Sequence, residues 1–135
     1  MRKQFVVQLP NRPGELAHLA RALAARWINI EHIASVGHGS LACAFLTTSD
    51  PAATLDVLHG LGYEYFEGTP VIVDVEDNPG GLAKVSGTLA EAGVNILAAL
   101  IVGRRPGILE MAFSVDDDVR AREVLGLSPT AVAGV

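Results

Sequence analysis

Residues 11–16 read NRPGEL and residues 77–82 read DNPGGL. Both hexamers carry Pro-Gly at the centre and a leucine two residues after the glycine. Each follows a run with alternating apolar positions, QFVVQL and VIVDVE, and precedes a run with apolar residues at helical spacing. The offset is 66 (79 − 13), and it persists outward from the hexamers. Phe5, Val7 and Leu9 meet Val71, Val73 and Val75, and Leu23 meets Leu89. Asn29-Ile30 meets Asn95-Ile96. Phe45 and Phe113 pair at an offset of 68 (113 − 45), because GRRPGIL replaces the shorter GHGSL. An insertion at a hairpin tip is where a duplicated unit tolerates extra residues. The chain is therefore two copies of one unit, over residues 1–68 and 69–135.

Each copy has one order of elements. A strand leads into the Pro-Gly hexamer and a helix. Leu16, Leu19, Ala20, Leu23 and Trp27 form the apolar stripe of that helix in copy one; Leu82, Val85, Leu89 and Ala92 form it in copy two. Pro13 and Pro79 suit a first helical turn, where a missing N–H costs nothing. Asn11 and Asp77, just upstream, suit the N-cap. Two strands joined by a glycine-bearing turn follow, INIEHIASV–LACAFLTT and VNILAALIV–ILEMAFSV. A second helix opens at SDP or DDD. The last strand is YEYFEG in copy one and falls within TAVAGV in copy two. The order βαββαβ, twice, specifies an α+β chain of two ferredoxin-like units in tandem, with antiparallel sheets and helices on one face.

Composition narrows the function. Half of the 135 residues are hydrophobic, 19% are charged and the net charge is −5. Basic residues are scattered, so no electrostatic footprint for nucleic acid exists. No run approaches the roughly 18 apolar residues of a membrane span. One cysteine, Cys43, excludes an intrachain disulfide and sits in an apolar run as a small buried residue. The expectation is a cytoplasmic protein whose apolar composition favours a homodimer. His18, His32, His38 and His59 lack metal-ligand spacing, so neither a metal nor a cofactor is expected. Ser35, Ser40 and Ser86 lack an adjacent base, so no catalytic constellation is expected either. His18 lies beside Glu15 as a surface pair. The RRPG tip reads as a solvated hairpin, or as a grip for a partner's carboxylate.

A ferredoxin-like unit with D/N-x-P-G-x-L between its first strand and first helix resembles an ACT domain, and the resemblance covers nearly the whole chain. Both copies also keep a step of eighteen residues from the loop to an asparagine, 29 − 11 and 95 − 77. The resemblance implies a freestanding, allosteric, amino-acid-binding regulatory protein, with the ligand held where ACT units meet. Copy one is similar in particular to the serine-binding regulatory domain of phosphoglycerate dehydrogenase, in which both asparagines hold the ligand. A histidine stands two residues before the loop asparagine in that family; here Leu9 and Val75 replace it, which leaves the amino acid unnamed.

The expected ligand contacts are Asn11, Arg12, Pro13, Gly14, Glu15, Leu16, Asn29 and Ile30 in copy one. In copy two they are Asp77, Asn78, Pro79, Gly80, Gly81, Leu82, Asn95 and Ile96. The chemistry suits a zwitterion. A helix N-terminus offers unpaired N–H groups and a partial positive charge to a carboxylate. Glycines let a ligand approach the backbone. An Asn amide serves either end, while an ionised Asp accepts only and favours an ammonium. Leu16 and Leu82 fit a ligand wall or the core. Beside the ligand reading stand a cap-only role for Asn11 and Asp77 and a local backbone role for Asn29 and Asn95. The partners implied are a free amino acid or similar metabolite, a second copy and a metabolic enzyme under regulation. The competing functions are a protein–protein regulator without a ligand and, behind it, a small enzyme on the same fold.

Overall fold

Phe5, Val7 and Leu9 alternate along the first strand and are 0–2% exposed, which turns one face of the sheet into the floor of a core. The structure, a computed structural model, describes residues 3–128. The chain divides into two compact units, Met1–Thr69 and Pro70–Val135. Unit 1 runs β1 (Gln4–Pro10), α1 (Glu15–Ala24), β2 (Ile30–His38), β3 (Leu41–Thr48), α2 (Pro51–Leu61) and β4 (Tyr65–Gly68). Its sheet has the order β2-β3-β1-β4, with every pairing antiparallel. Leu19 and Leu23 of α1 and Val57 and Leu58 of α2 join Phe5, Val7, Leu9, Ala44 and Leu46 in one buried cluster. Both helices therefore cover the same face.

Unit 2 repeats the plan with β5 (Val71–Glu76), α3 (Gly81–Glu91), β6 (Ile96–Arg105), β7 (Ile108–Val115) and α4 (Asp118–Val124). Its described strands order as β5-β7-β6, and Val71, Val73, Val75, Leu89, Met111 and Phe113 form the core. The strand expected within TAVAGV lies outside the described residues. The chain is thus two ferredoxin-like units in tandem, with antiparallel sheets and helices on one face. Among the described residues no helix is long and apolar enough to cross a membrane.

The helix ends explain where the apolar stripes stop. Asp50 and Asp117 cap α2 and α4, each accepting a backbone N–H three residues on, from Ala53 at 3.0 Å and from Arg120 at 2.9 Å. All four described helices close with paired backbone bonds of the Schellman type. In α1 these run Ile28 N–H to the Leu23 carbonyl and Trp27 N–H to the Ala24 carbonyl. The first helix is therefore shorter than its apolar spacing suggests. Trp27 falls beyond the helix and is 96% exposed, not part of the stripe. Leu16 and Leu82, in the first turns, are 44% and 48% exposed and also stand outside the core. Cys43 is half-buried on β3 rather than buried.

Candidate functional site

The two Pro-Gly hexamers are type II turns placed just before the helices. Pro13 and Pro79 hold the second position of each turn, and Gly14 and Gly80 the third, with φ of 90° and 95°. A positive φ at that position is what a type II turn requires and what glycine supplies. The turns close through Glu15 N–H to the Arg12 carbonyl and Gly81 N–H to the Asn78 carbonyl. The carbonyls of Gly14 and Gly80 then accept the first helical bonds, from His18 and Lys84. Two expectations are corrected here. The prolines lie outside the helices, and the N-caps are the glycines, with no side-chain cap bond.

Asn11 and Asp77 bind the hairpin tips of their own units instead. Asn11 N–H donates to the Ser40 carbonyl, and its Nδ2 donates to the Gly39 carbonyl at 3.0 Å. The amide packs against Gly37: a Cβ there would stand 2.6 Å from Asn11 Oδ1, so the Asn11 side chain would have to shift. In unit 2, Asp77 N–H donates to the Gly107 carbonyl, and Arg104 Nη1 donates to Asp77 Oδ2 at 2.8 Å. Arg105 makes an ion pair with Asp74. The RRPG tip thus grips carboxylates of its own unit, and Asp77 pairs with Arg104 at the surface.

Unit 1 presents a groove of about 620 Å³ beside its turn. The polar lining is Gln8, Arg12, Glu15, His18, Tyr63 and Glu64, over apolar Leu9, Leu41 and Leu61. Small-molecule pockets run to roughly 300–1,000 Å³, so the size suits a metabolite. Arg12 and Glu15 form an ion pair at its mouth, with side chains 69% and 17% exposed. Glu15 thereby pairs with Arg12, not with His18. The Tyr63 hydroxyl is buried without a hydrogen-bond partner among the described residues. Burial, and after it the Glu15 carboxylate, push its pKa above the ordinary tyrosine value, so the phenol is neutral.

The corresponding hollow of unit 2 is about 280 Å³. It has Gly81 where unit 1 has Glu15, and Lys84 where unit 1 has His18. Gly81 is buried against the Glu76 carbonyl: a Cβ there would stand 2.0 Å from the oxygen. Gln8, Tyr63 and Glu64 carry no local signal for the groove; Tyr63 is 48 residues (63 − 15) from Glu15. Arg104 was visible in the RRPG tip, but not its target.

Asn29 and Asn95 stand at the starts of β2 and β6 and are exposed. Their backbones bond the far ends of the neighbouring strands. Asn29 N–H donates to Ser49 Oγ at 2.8 Å, and Asn95 N–H donates to Asp116 Oδ1 at 2.9 Å. β2 separates Asn29 from the tip that Asn11 binds. Nine strand residues at roughly 3.3 Å each put them about 30 Å apart. Unit 1 alone therefore does not bring Asn11 and Asn29 together. Among the described residues no three His, Cys, Asp or Glu side chains gather as a metal-binding group.

Residues 71–124 match the ACT domain family. No curated protein matches the chain by sequence. Among solved structures, the chain is similar to a protein of Bacteroides thetaiotaomicron, at 23% identity and TM-score 0.75, covering 93% of this chain and 86% of that one. It is also similar to the regulatory subunit of aspartate kinase from Thermus flavus, at 21% identity and TM-score 0.67, covering 93% and 90%. The ligand-free subunit from Thermus thermophilus gives 20%, 0.66, 93% and 89%. At these identities the structures speak for the fold. The family match lies within unit 2, and unit 1 repeats the same order of elements.

Proposed function

We propose that the chain is a non-catalytic regulatory protein that binds a small metabolite, a free amino acid, and reports on it to a metabolic enzyme. One observation carries this reading: the Pro-Gly turn of unit 1 borders a ligand-sized groove with a cation and an anion at its mouth. A zwitterion matches both charges. The fold likeness to aspartate kinase regulatory subunits supports the regulatory part. Asn11 holds the turn to its hairpin through its amide nitrogen. In a two-fold dimer of the chain, the strand starts at Asn29-Ile30 and Asn95-Ile96 would offer further walls. Binding would stabilise one arrangement of the protein over others, and its coupling to an enzyme is reciprocal.

A thermal-shift screen of the full chain against the twenty amino acids tests this. A ligand at about 100 times its Kd adds roughly 2.7 kcal/mol of stability, enough to move the midpoint by several degrees. If none of the twenty moves it, the amino-acid reading fails. Light scattering coupled to size exclusion checks the dimer, and a monomer at micromolar concentration would count against it.

A second reading is a protein–protein regulator. The single tryptophan, Trp27, favours it, being 96% exposed with a φ of 56°. Exposed tryptophans that become buried dominate many interfaces. Docking would shift Trp27 fluorescence to shorter wavelength; unchanged emission with a candidate enzyme would speak against that enzyme as the partner.

A further inference from the structure

Duplication supplies an internal control: the same loop occurs twice, and the two copies have diverged at the positions that would touch a ligand. Unit 1 has Arg12 and Glu15 at the mouth of its groove, and among the groove's lining the Tyr63 hydroxyl, which has no partner among the described residues. Unit 2 replaces Arg12 by Asn78 and Glu15 by Gly81, and offers less than half the volume. Its Asp77 is held by Arg104, and its Gly81 backbone lies where a side chain would collide with the Glu76 carbonyl. The charge pair at the turn and more than half of the space are thus missing from the second copy, whose hollow is lined instead by Asp74, Glu76 and Lys84.

Resting on the reading above, we propose that unit 1 alone carries the ligand site, with a stoichiometry of one zwitterion per chain. The ligand carboxylate binds the Arg12 guanidinium and its ammonium binds the Glu15 carboxylate. Unit 2 keeps the loop as a structural latch, fastened through Arg104 and Asp77. The Arg12–Glu15 pair does not bar the ligand. It is exposed on the arginine side, and exposed ion pairs are individually weak. Opening it exchanges one charge contact for two, both charge-assisted and geometrically convergent. In unit 2 the turn itself cannot make this exchange, because Asn78 brings no charge and Gly81 no side chain, and the exposed pair there, Arg104–Asp77, ties the turn to the hairpin tip.

Isothermal titration of the full chain tests the proposal. The probes are the twenty amino acids and, for the tightest of them, its des-amino acid and its decarboxylated amine. The expected result is one molecule bound per chain. Both analogues, and each of the variants Arg12→Ala and Glu15→Gln, should lose about tenfold or more in affinity. Arg104→Ala should stay within about twofold of the parent, with unchanged stoichiometry. Arg12 and Arg104 are at the surface and Glu15 is half-buried, and circular dichroism melts confirm that each variant is folded. Two molecules bound per chain would overturn the proposal, as would Arg104→Ala weakening binding as much as Arg12→Ala. Analogues that bind as well as the parent amino acid would also overturn it. If no amino acid binds, the function proposed above falls with it; if one binds in any of the overturning ways, only the unit 1 assignment falls.

Discussion

Trp27 and Gly93 occupy the same place in two helix ends, 66 residues apart (93 − 27), and both take a positive φ, 56° and 73°. Each donates its N–H to the carbonyl three residues back, and the next residue closes the longer bond, Ile28 to Leu23 and Val94 to Leu89. The other two described helices end the same way on Gly62 and Gly126. Three of the four positions are therefore glycine, and the fourth is a bulky residue in a conformation that costs an L-residue about 1–2 kcal/mol. Trp27 returns little for that cost, since its side chain is almost fully exposed. Trp27→Gly should raise the unfolding free energy by about 0.5–1 kcal/mol, after allowing for the greater freedom of glycine in the unfolded chain. Urea denaturation followed by far-ultraviolet circular dichroism measures it, and a destabilised variant would refute the strain argument.

Gly81 and Glu15 make the opposite comparison. A methyl group at Gly81 would stand 2.0 Å from the Glu76 carbonyl oxygen, and both are backbone-held. No rotamer change can relieve that contact. Gly81→Ala should cost more than about 2 kcal/mol. Glu15→Ala, at the same turn of unit 1, removes an exposed pairing with Arg12 and should cost under about 1 kcal/mol. Equal midpoints for the two variants in urea would show that the turn of unit 2 is looser than described.

The Tyr63 phenol is raised above its ordinary value of 10.0, by burial first and by Glu15 second. Its proton is therefore held more tightly in the folded chain than in the unfolded one. Below pH 10.0 both states are protonated and the contribution is constant. Above it the unfolded state releases its proton first, so stability falls as pH rises toward the folded value. Tyr63→Phe should flatten this alkaline fall. At neutral pH it should be close to neutral or slightly stabilising, since it removes a buried hydroxyl that has no partner among the described residues. Parallel stability–pH curves for parent and variant above pH 10.0 would exclude a raised phenol.

These residues show what the sequence could and could not convey. Alternation at Phe5, Val7 and Leu9, and its echo at Val71, Val73 and Val75, located the strands and the buried face, because a period of two has only one burial solution. The duplicated Pro-Gly marked the helix starts. It did not reveal the turn type, since proline at the first helical position and asparagine at the cap are the common arrangement. What decides otherwise is tertiary: the hairpin tip claims the Asn11 backbone and side chain, and glycine alone can take the φ of 90° that remains. Trp27 has the right spacing for the α1 stripe, but the Schellman bonds end the helix first. The charge pair of the groove lay within the quoted hexamer. Tyr63 comes from the α2–β4 connection, and no local pattern links it to Glu15.

The second helices supply the remaining prediction. Asp50 and Asp117 have extended backbone and each accepts an N–H from the first turn of its helix. Asp50→Ala or Asp117→Ala leaves that N–H without its side-chain acceptor and should cost about 1 kcal/mol. Asp→Asn keeps an acceptor oxygen and loses only the charge near the helix N-terminus, a smaller effect of about 0.3–1 kcal/mol at low salt. The Asn variants should approach the parent as salt is added, because screening removes the charge term. The Ala variants should recover only that charge part and keep the rest of the deficit, because a missing hydrogen bond is not screened. Of the two, α4 should respond more strongly. It has 7 residues against 11 in α2, and a short helix depends more on each end. Denaturation midpoints at low and high salt separate the two effects, and Ala variants that reach the parent at high salt would mean that the carboxylates act by charge rather than as caps.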